Sequence, residues 1–230
     1  HRDLHSFPTR RSSDLTQDFS SQALRLLRAI VPQRPNDLFF VGDGHQRIYK
    51  KNRAAMSRCG IDIRGRSRKL YINYRTTEQI RKAAVALLEG VEVDDLDEGH
   101  DEVKKYKSLS RGPEPVIETV PSLEAVLPRA AELLADAIEG KVEKGHTACV
   151  IAPNKAIRDQ VRKYFQGRGV ATHTIEANER DPQDSTKLRF STMHRSKGLE
   201  FDQVLVIAQN SALGGDDSDQ NRKLAYVALS

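Results

Sequence analysis

Apolar positions recur along this chain with two different periods, and the switches between them mark out alternating helices and strands. Leu24, Leu27 and Ile30 stand at helical spacing behind Ser20 or Ser21 as cap, and Pro32 and Pro35 end that helix. Leu38-Phe39-Phe40-Val41 then reads as a short buried strand, and Leu70-Tyr71-Ile72 as another. Thr76 or Thr77 opens a helix whose apolar stripe is Ile80, Ala84, Leu87 and Leu88, closed by Gly90. A strand follows at Val116 to Val120, then a helical stretch from Ser122 to Glu139 broken or restarted at Pro128, then a strand at Ala148 to Ala152. The pattern continues with a helix from Asn154 to Gly167 and strands at Val170 to Ile175, Leu188 to Ser191 and Gln203 to Ala208. Leu224, Val227 and Ala228 begin one more helix. Strands alternating with helices of this length predict an α/β fold, a mostly parallel sheet with helices on both faces.

Composition narrows the class only a little. With 38% hydrophobic and 30% charged residues, the chain reads as a soluble globular protein, and a reducing cytoplasm is the default compartment. No apolar run approaches the roughly 20 residues of a membrane span. Cys59 and Cys149 stand in no C-x-x-C pair, which argues against zinc and against a disulfide framework. Tyr71 and Phe190 read as core residues, and His45, His100, His146 and His173 carry no assigned role.

Charge is unevenly spread. Between Gly44 and Lys82 the bases run from Arg47 through Lys50, Lys51, Arg53, Arg58, Arg64, Arg66, Arg68, Lys69, Arg75 and Arg81 to Lys82, against only Asp62 and Glu78. Such a block suits a polyanion such as a nucleic-acid backbone, and equally a solvated basic surface. Glu89 to Glu102 is the reverse, acidic throughout, and reads as an exposed connector. The first residues, HRDLHSFPTRRSSDL, correspond to one reading frame of a standard short-read sequencing adapter, so residues 1–15 are read as an adapter-derived artefact and kept apart from the fold. With the helical pattern uncapped at Ser230, truncation at both ends is expected.

In parallel α/β folds ligands bind beyond the carboxyl ends of the strands, which directs attention to the loops there. Those loops read Gly42-Asp43-Gly44-His45-Gln46-Arg47-Ile48-Tyr49, then Asn73-Tyr74-Arg75-Thr76-Thr77, then Thr192-Met193-His194-Arg195-Ser196-Lys197-Gly198-Leu199-Glu200-Phe201-Asp202. Near the end comes Asn221-Arg222-Lys223-Leu224-Ala225-Tyr226. In this order they resemble motifs III, IV, V and the start of VI of the UvrD/Rep-type superfamily 1 DNA helicases, and Gln17-Asp18-Phe19-Ser20 is similar to the tail of motif II.

The resemblance implies RecA-like domains of the P-loop NTPase type: a remnant of the first over 16–68 and the second over 69–230, incomplete at its end. It implies ATP with Mg²⁺ as the nucleotide, the Mg²⁺ ligands lying outside this chain, and single-stranded DNA, or duplex with a single-stranded tail, as partner. Gln46 would sense the γ-phosphate or its attacking water, and Arg75 would act as an arginine finger. Tyr74 would stack on adenine and Glu200 would accept from the ribose hydroxyl. Thr192 and His194 would hold the DNA backbone, and Tyr49 would lie at the base-stacking surface. Lys51 stands where relatives often carry a second aromatic, so it would grip phosphate. No G-x-x-x-x-G-K-[ST] pattern occurs, so the chain by itself is expected not to hydrolyse ATP. The short interval from Arg75 to Ser191 implies a compact member without a large inserted subdomain. Translocation from 3′ to 5′ is what the family implies. A non-catalytic DNA- or partner-binding module and a helicase-nuclease subunit stay open as alternatives.

Overall fold

The computed structural model describes residues 11–13, 16–48, 55–91, 106–143, 145–176, 187–208 and 218–230. Its contacts divide the chain into two compact units, His1–Asn73 with Gly90–Lys107, and Tyr74–Glu89 with Ser108–Ser230. The acidic run from Glu89 to Glu102 lies almost wholly outside the described residues.

Unit 1 is built on a β–α–β step. Strand β1 (Arg11–Ser13) pairs in parallel with β2 (Leu38–Phe40), and α1 (Ser21–Ile30) connects them. The Ser20 hydroxyl accepts from the Ala23 N–H and so caps α1. Leu24 is fully buried against Met56, Cys59 and Ile61, with Phe19, Leu38 and Phe40 around them, whereas Ile30 of the expected stripe is exposed. Residues 11–13, read from sequence as part of an adapter-derived stretch, lie along β2. Backbone pairing at a strand edge asks for N–H and C=O groups and little of the side chains, so an extended segment of almost any sequence can occupy that place. Arg28 and Asp37 close the unit with an ion pair, and Asp37 also accepts from the Arg34 N–H.

Unit 2 contains a four-stranded, all-parallel sheet in the order β6 (Thr172–Thr174), β7 (Leu188–Thr192), β5 (Ala148–Ala152), β8 (Gln203–Val206). Two short strands precede these in the chain, β3 (Ile72–Asn73) and β4 (Lys107–Ser108). Side chains alternate across a strand, so Ala148, Val150, Leu188 and Phe190 face one side. There they meet Ala130 and Leu134 from the α3 (Leu123–Leu133) region and Val161 and Phe165 from α5 (Lys155–Gln166). Cys149, Ile151 and Ser191 are equally buried on the opposite side, where α6 (Met193–Ser196) and α7 (Ser218–Leu229) pack. Helix α2 (Glu78–Ala86) packs on α7. The mixed α/β reading with a parallel sheet covered on both faces therefore holds for this unit.

Several local expectations change. Val116 to Val120 forms no strand; Val116 and Ile117 are exposed, and an extended apolar run becomes a strand only where a partner edge receives it. Helix α3 runs through Pro128 to Leu133, and α4 (Ala135–Ile138) begins after Leu134, so the break falls a turn and a half later than expected. The expected strand at Leu70 to Ile72 is shifted to Ile72–Asn73, and Tyr71 is 41% exposed rather than core. Phe190 is fully buried, and its ring lies 5.8 Å from that of Phe165. Both cysteines are free and buried. Among the described residues no helix is long and apolar enough to cross a membrane.

Phe190 joins the strand the site hangs from to the helix beneath it. Replacing it by Ala should cost unit 2 about 3–5 kcal/mol, since a large buried ring leaves a cavity that close neighbours fill only in part. Urea unfolding reads this directly, and a loss under about 1 kcal/mol would show that Phe190 is not a core anchor.

Candidate functional site

The segment after β7 has an unusual path. Thr192, the last residue of β7, lies beside Ala152 at the carboxyl end of β5, while Gln203, the first of β8, lies beside Ala148 at its amino end. Residues 193–202 therefore travel back along the sheet by about 13 Å, four residues at a strand's rise. Parallel strands are usually joined by a longer crossover helix. Here a four-residue helix, α6, and a tight turn suffice.

The turn is fixed by its sequence. Leu199 N–H donates to the Ser196 carbonyl at 2.9 Å, Lys197 has φ −54° and ψ 122°, and Gly198 has φ +81°. These are the angles of a type II turn, whose third residue needs a positive φ and hence favours glycine. Met193 and Ser196 are buried beneath it. At the far end Asp202 accepts from both the backbone N–H (2.7 Å) and the hydroxyl (2.8 Å) of Thr147, and its own N–H donates to that hydroxyl (3.1 Å). These bonds, the backbone one foremost, hold the Asp202 carboxyl below its ordinary range.

The expected site residues of unit 2 fall at the two ends of this segment. Thr192 takes the cap position of α6, yet its hydroxyl makes no capping bond, unlike the capping side chains Ser20, Thr77, Ser122 and Asn154 of the longer helices. His194 next to it is exposed. Glu200, near the amino end of β8, reaches Arg75, with Oε1 2.6 Å from Nε. Two residues far apart in sequence, each expected to touch the nucleotide, thus touch each other. Tyr74 is 75% exposed beside them, an aromatic surface open to a ligand. Thr192 thus lies at the carboxyl end of the sheet, and Glu200 lies towards its amino end.

The Tyr74–Arg75 loop is held by Thr77, expected as the helix opener, and by contacts of Glu78 and Gly112 that sequence did not indicate. Thr77 caps α2 by accepting from the Ile80 N–H, and Glu78 accepts from Arg81 and from the Ser108 N–H at 2.8 Å. Arg81 foremost, then the Ser108 N–H, pulls the Glu78 carboxyl down to about 2. Gly112 donates to Gln79 and passes so close that a Cβ there would lie 2.8 Å from the Thr77 methyl. Its Gly-Pro context was the available signal for a close approach.

Gln46 lies in unit 1, in a 3₁₀ turn (Gly44–Gln46). Asp43 caps that turn through the His45 N–H and also accepts from the His45 ring, both at 2.9 Å. The Asp43 N–H in turn donates to Oε1 of the buried Gln17. His45, which had no assigned role, is buried and packs edge-on against Tyr106, 5.5 Å between ring centroids. Gln17 is thus a structural tie for the loop that carries Gln46. Tyr49 and Lys51 lie outside the described residues. Of the basic block, Arg58, Arg64, Arg66, Arg68 and Lys69 are exposed, with Arg64 bound to Asp62. Unit 1 also has an open groove along β2, rimmed by Arg34, Arg66 and Arg68, which does not include Gln46. Among the described residues no group of His, Cys, Asp and Glu is arranged to hold a metal ion.

Two outcomes follow from this geometry. Gly198→Ala should cost about 1–2 kcal/mol, because an L-residue is strained at that φ, and should displace Glu200 from Arg75; chemical-shift mapping that finds the loop unmoved would contradict the turn's role. Because the Glu78 pKa is lower folded than unfolded, its contribution to unit 2 is complete above about pH 4.5 and is lost as pH falls towards 2. Glu78→Gln should therefore flatten the acid limb of the stability profile, and an unchanged limb would count against the assignment. No family model matches the chain, and a search of curated proteins finds no significant match either.

Proposed function

We propose that the chain is the part of an ATP-dependent DNA translocase or helicase that couples nucleotide to single-stranded DNA. The observation that carries this reading is the path of residues 192–202. One end presents a threonine hydroxyl not used for capping and an exposed histidine; the other presents a carboxylate paired with an arginine. The order of motifs around it supports the same reading.

In this reading Thr192 and His194 hold phosphate oxygens of single-stranded DNA, and exposed bases such as Arg58 and Arg68 add sequence-independent attraction. Tyr74 lies on the adenine. Arg75 stabilises negative charge on the transferring phosphoryl group. Glu200 accepts from the ribose. Mg²⁺ would accompany the triphosphate and neutralise its charge, and none of its ligands is assigned to this chain. Helix α6, anchored by buried Met193 and Ser196, and the Gly198 turn form the link through which a change at Glu200 is transmitted to Thr192.

Anisotropy of a fluorescent oligo(dT) with the 230-residue chain tests the DNA half. The affinity should fall with rising salt, and Thr192→Val should weaken it about tenfold, the size of one hydrogen bond to a charged group. Arg75→Ala should leave it largely unchanged. Equal loss in both variants, or none with Thr192→Val, would contradict the assignment.

A further inference from the structure

The family resemblance assigns Glu200 to the sugar and Arg75 to the phosphate as separate contacts. The geometry points to a different arrangement: we propose that Glu200 is a positioning residue for Arg75, so that sugar and phosphate recognition pass through one carboxylate. This rests on the nucleotide reading above and concerns how that site is organised.

The argument starts from which atoms meet. The closest approach is between Nε of Arg75 and Oε1 of Glu200, an ion pair at 2.6 Å. A guanidinium binds phosphate through its terminal Nη donors, arranged as a planar fork. A carboxylate on Nε directs that fork and is compatible with an anion on it, whereas a carboxylate across both Nη groups would compete with the anion. An ionised carboxylate also offers two oxygens with about four acceptor sites, so Glu200 can hold Arg75 and still accept from a sugar hydroxyl.

The two residues arrive from separately fixed supports. Arg75 follows β3 and precedes the Thr77 cap, tied down by Glu78 and Gly112. Glu200 stands between the Gly198 turn and the Asp202–Thr147 bonds. Ordering an arginine with 46% of its side chain exposed before the ligand arrives lowers the entropic cost of binding. Glu200 itself is 64% exposed, so solvent screens the pair and its effect is modest.

The experiment compares ATP with inorganic tripolyphosphate, which has no sugar, by calorimetric titration of the 230-residue chain and its variants in the presence of Mg²⁺. Glu200→Ala should weaken tripolyphosphate binding about three- to fivefold, the size of an exposed charge pair's coupling. Arg75→Ala should weaken it at least as much, and the double variant no further than Arg75→Ala alone. Glu200→Gln, whose amide oxygen still accepts from Nε, should restore most of the affinity. Urea midpoints should stay near wild type, since both side chains are exposed. Loss of ATP affinity with tripolyphosphate binding unchanged would make Glu200 a sugar contact alone and overturn the proposal. Tighter tripolyphosphate binding by Glu200→Ala would make it a competitor and overturn it as well. No saturable binding of either ligand by the wild type would remove the nucleotide reading itself, and this proposal with it.

Discussion

Two parallel strands that flank a third can be joined by a short connection only if the chain runs back over the face of the sheet. That constraint shapes unit 2. The pairing of β5 with β7 on one side and β8 on the other sends residues 193–202 from the carboxyl to the amino end of the strands. Helix α6 starts this path, the Gly198 turn bends it and the Asp202–Thr147 bonds end it. None of these contacts is large. They are effective because the sheet beneath is a dry core, with all of β5 buried and Phe165 and Phe190 in contact under it.

Function in the proposed account follows from the same path. A phosphate-holding end at Thr192 and a nucleotide-facing end at Glu200 are parts of one covalently continuous segment anchored by buried Met193 and Ser196. Long-range coupling needs an element with two discrete arrangements that both ligands bias. An exposed Arg75–Glu200 pair is suited to this, since it is specific in geometry and cheap to rearrange.

Much of the sheet was legible from residue pattern. Ala148 to Ala152 is an unbroken apolar run between polar flanks, and it forms β5 with the same bounds. Thr77 and Asn154 stand before helical stripes and cap them. Other features depend on partners that sequence does not display. Val116 and Ile117 have strand propensity but no receiving edge. Pro128 removes one helical bond, and the rest of α3 outweighs that loss. Candidate residues could be named one by one from sequence, but which of them lie together could not. The approach of Arg75 to Glu200 depends on the crossover, and the support from Glu78 and Gly112 depends on how residues 108–112 lie over α2.

The central claim is that residues 192–202 carry free energy between a nucleotide and DNA. Linkage measures it most directly: the oligo(dT) affinity of the 230-residue chain with and without saturating non-hydrolysable ATP analogue. The account predicts a shift of several-fold in the wild type that disappears in Gly198→Ala, while each ligand still binds alone. An equal shift in the two proteins, or none in the wild type, would contradict it.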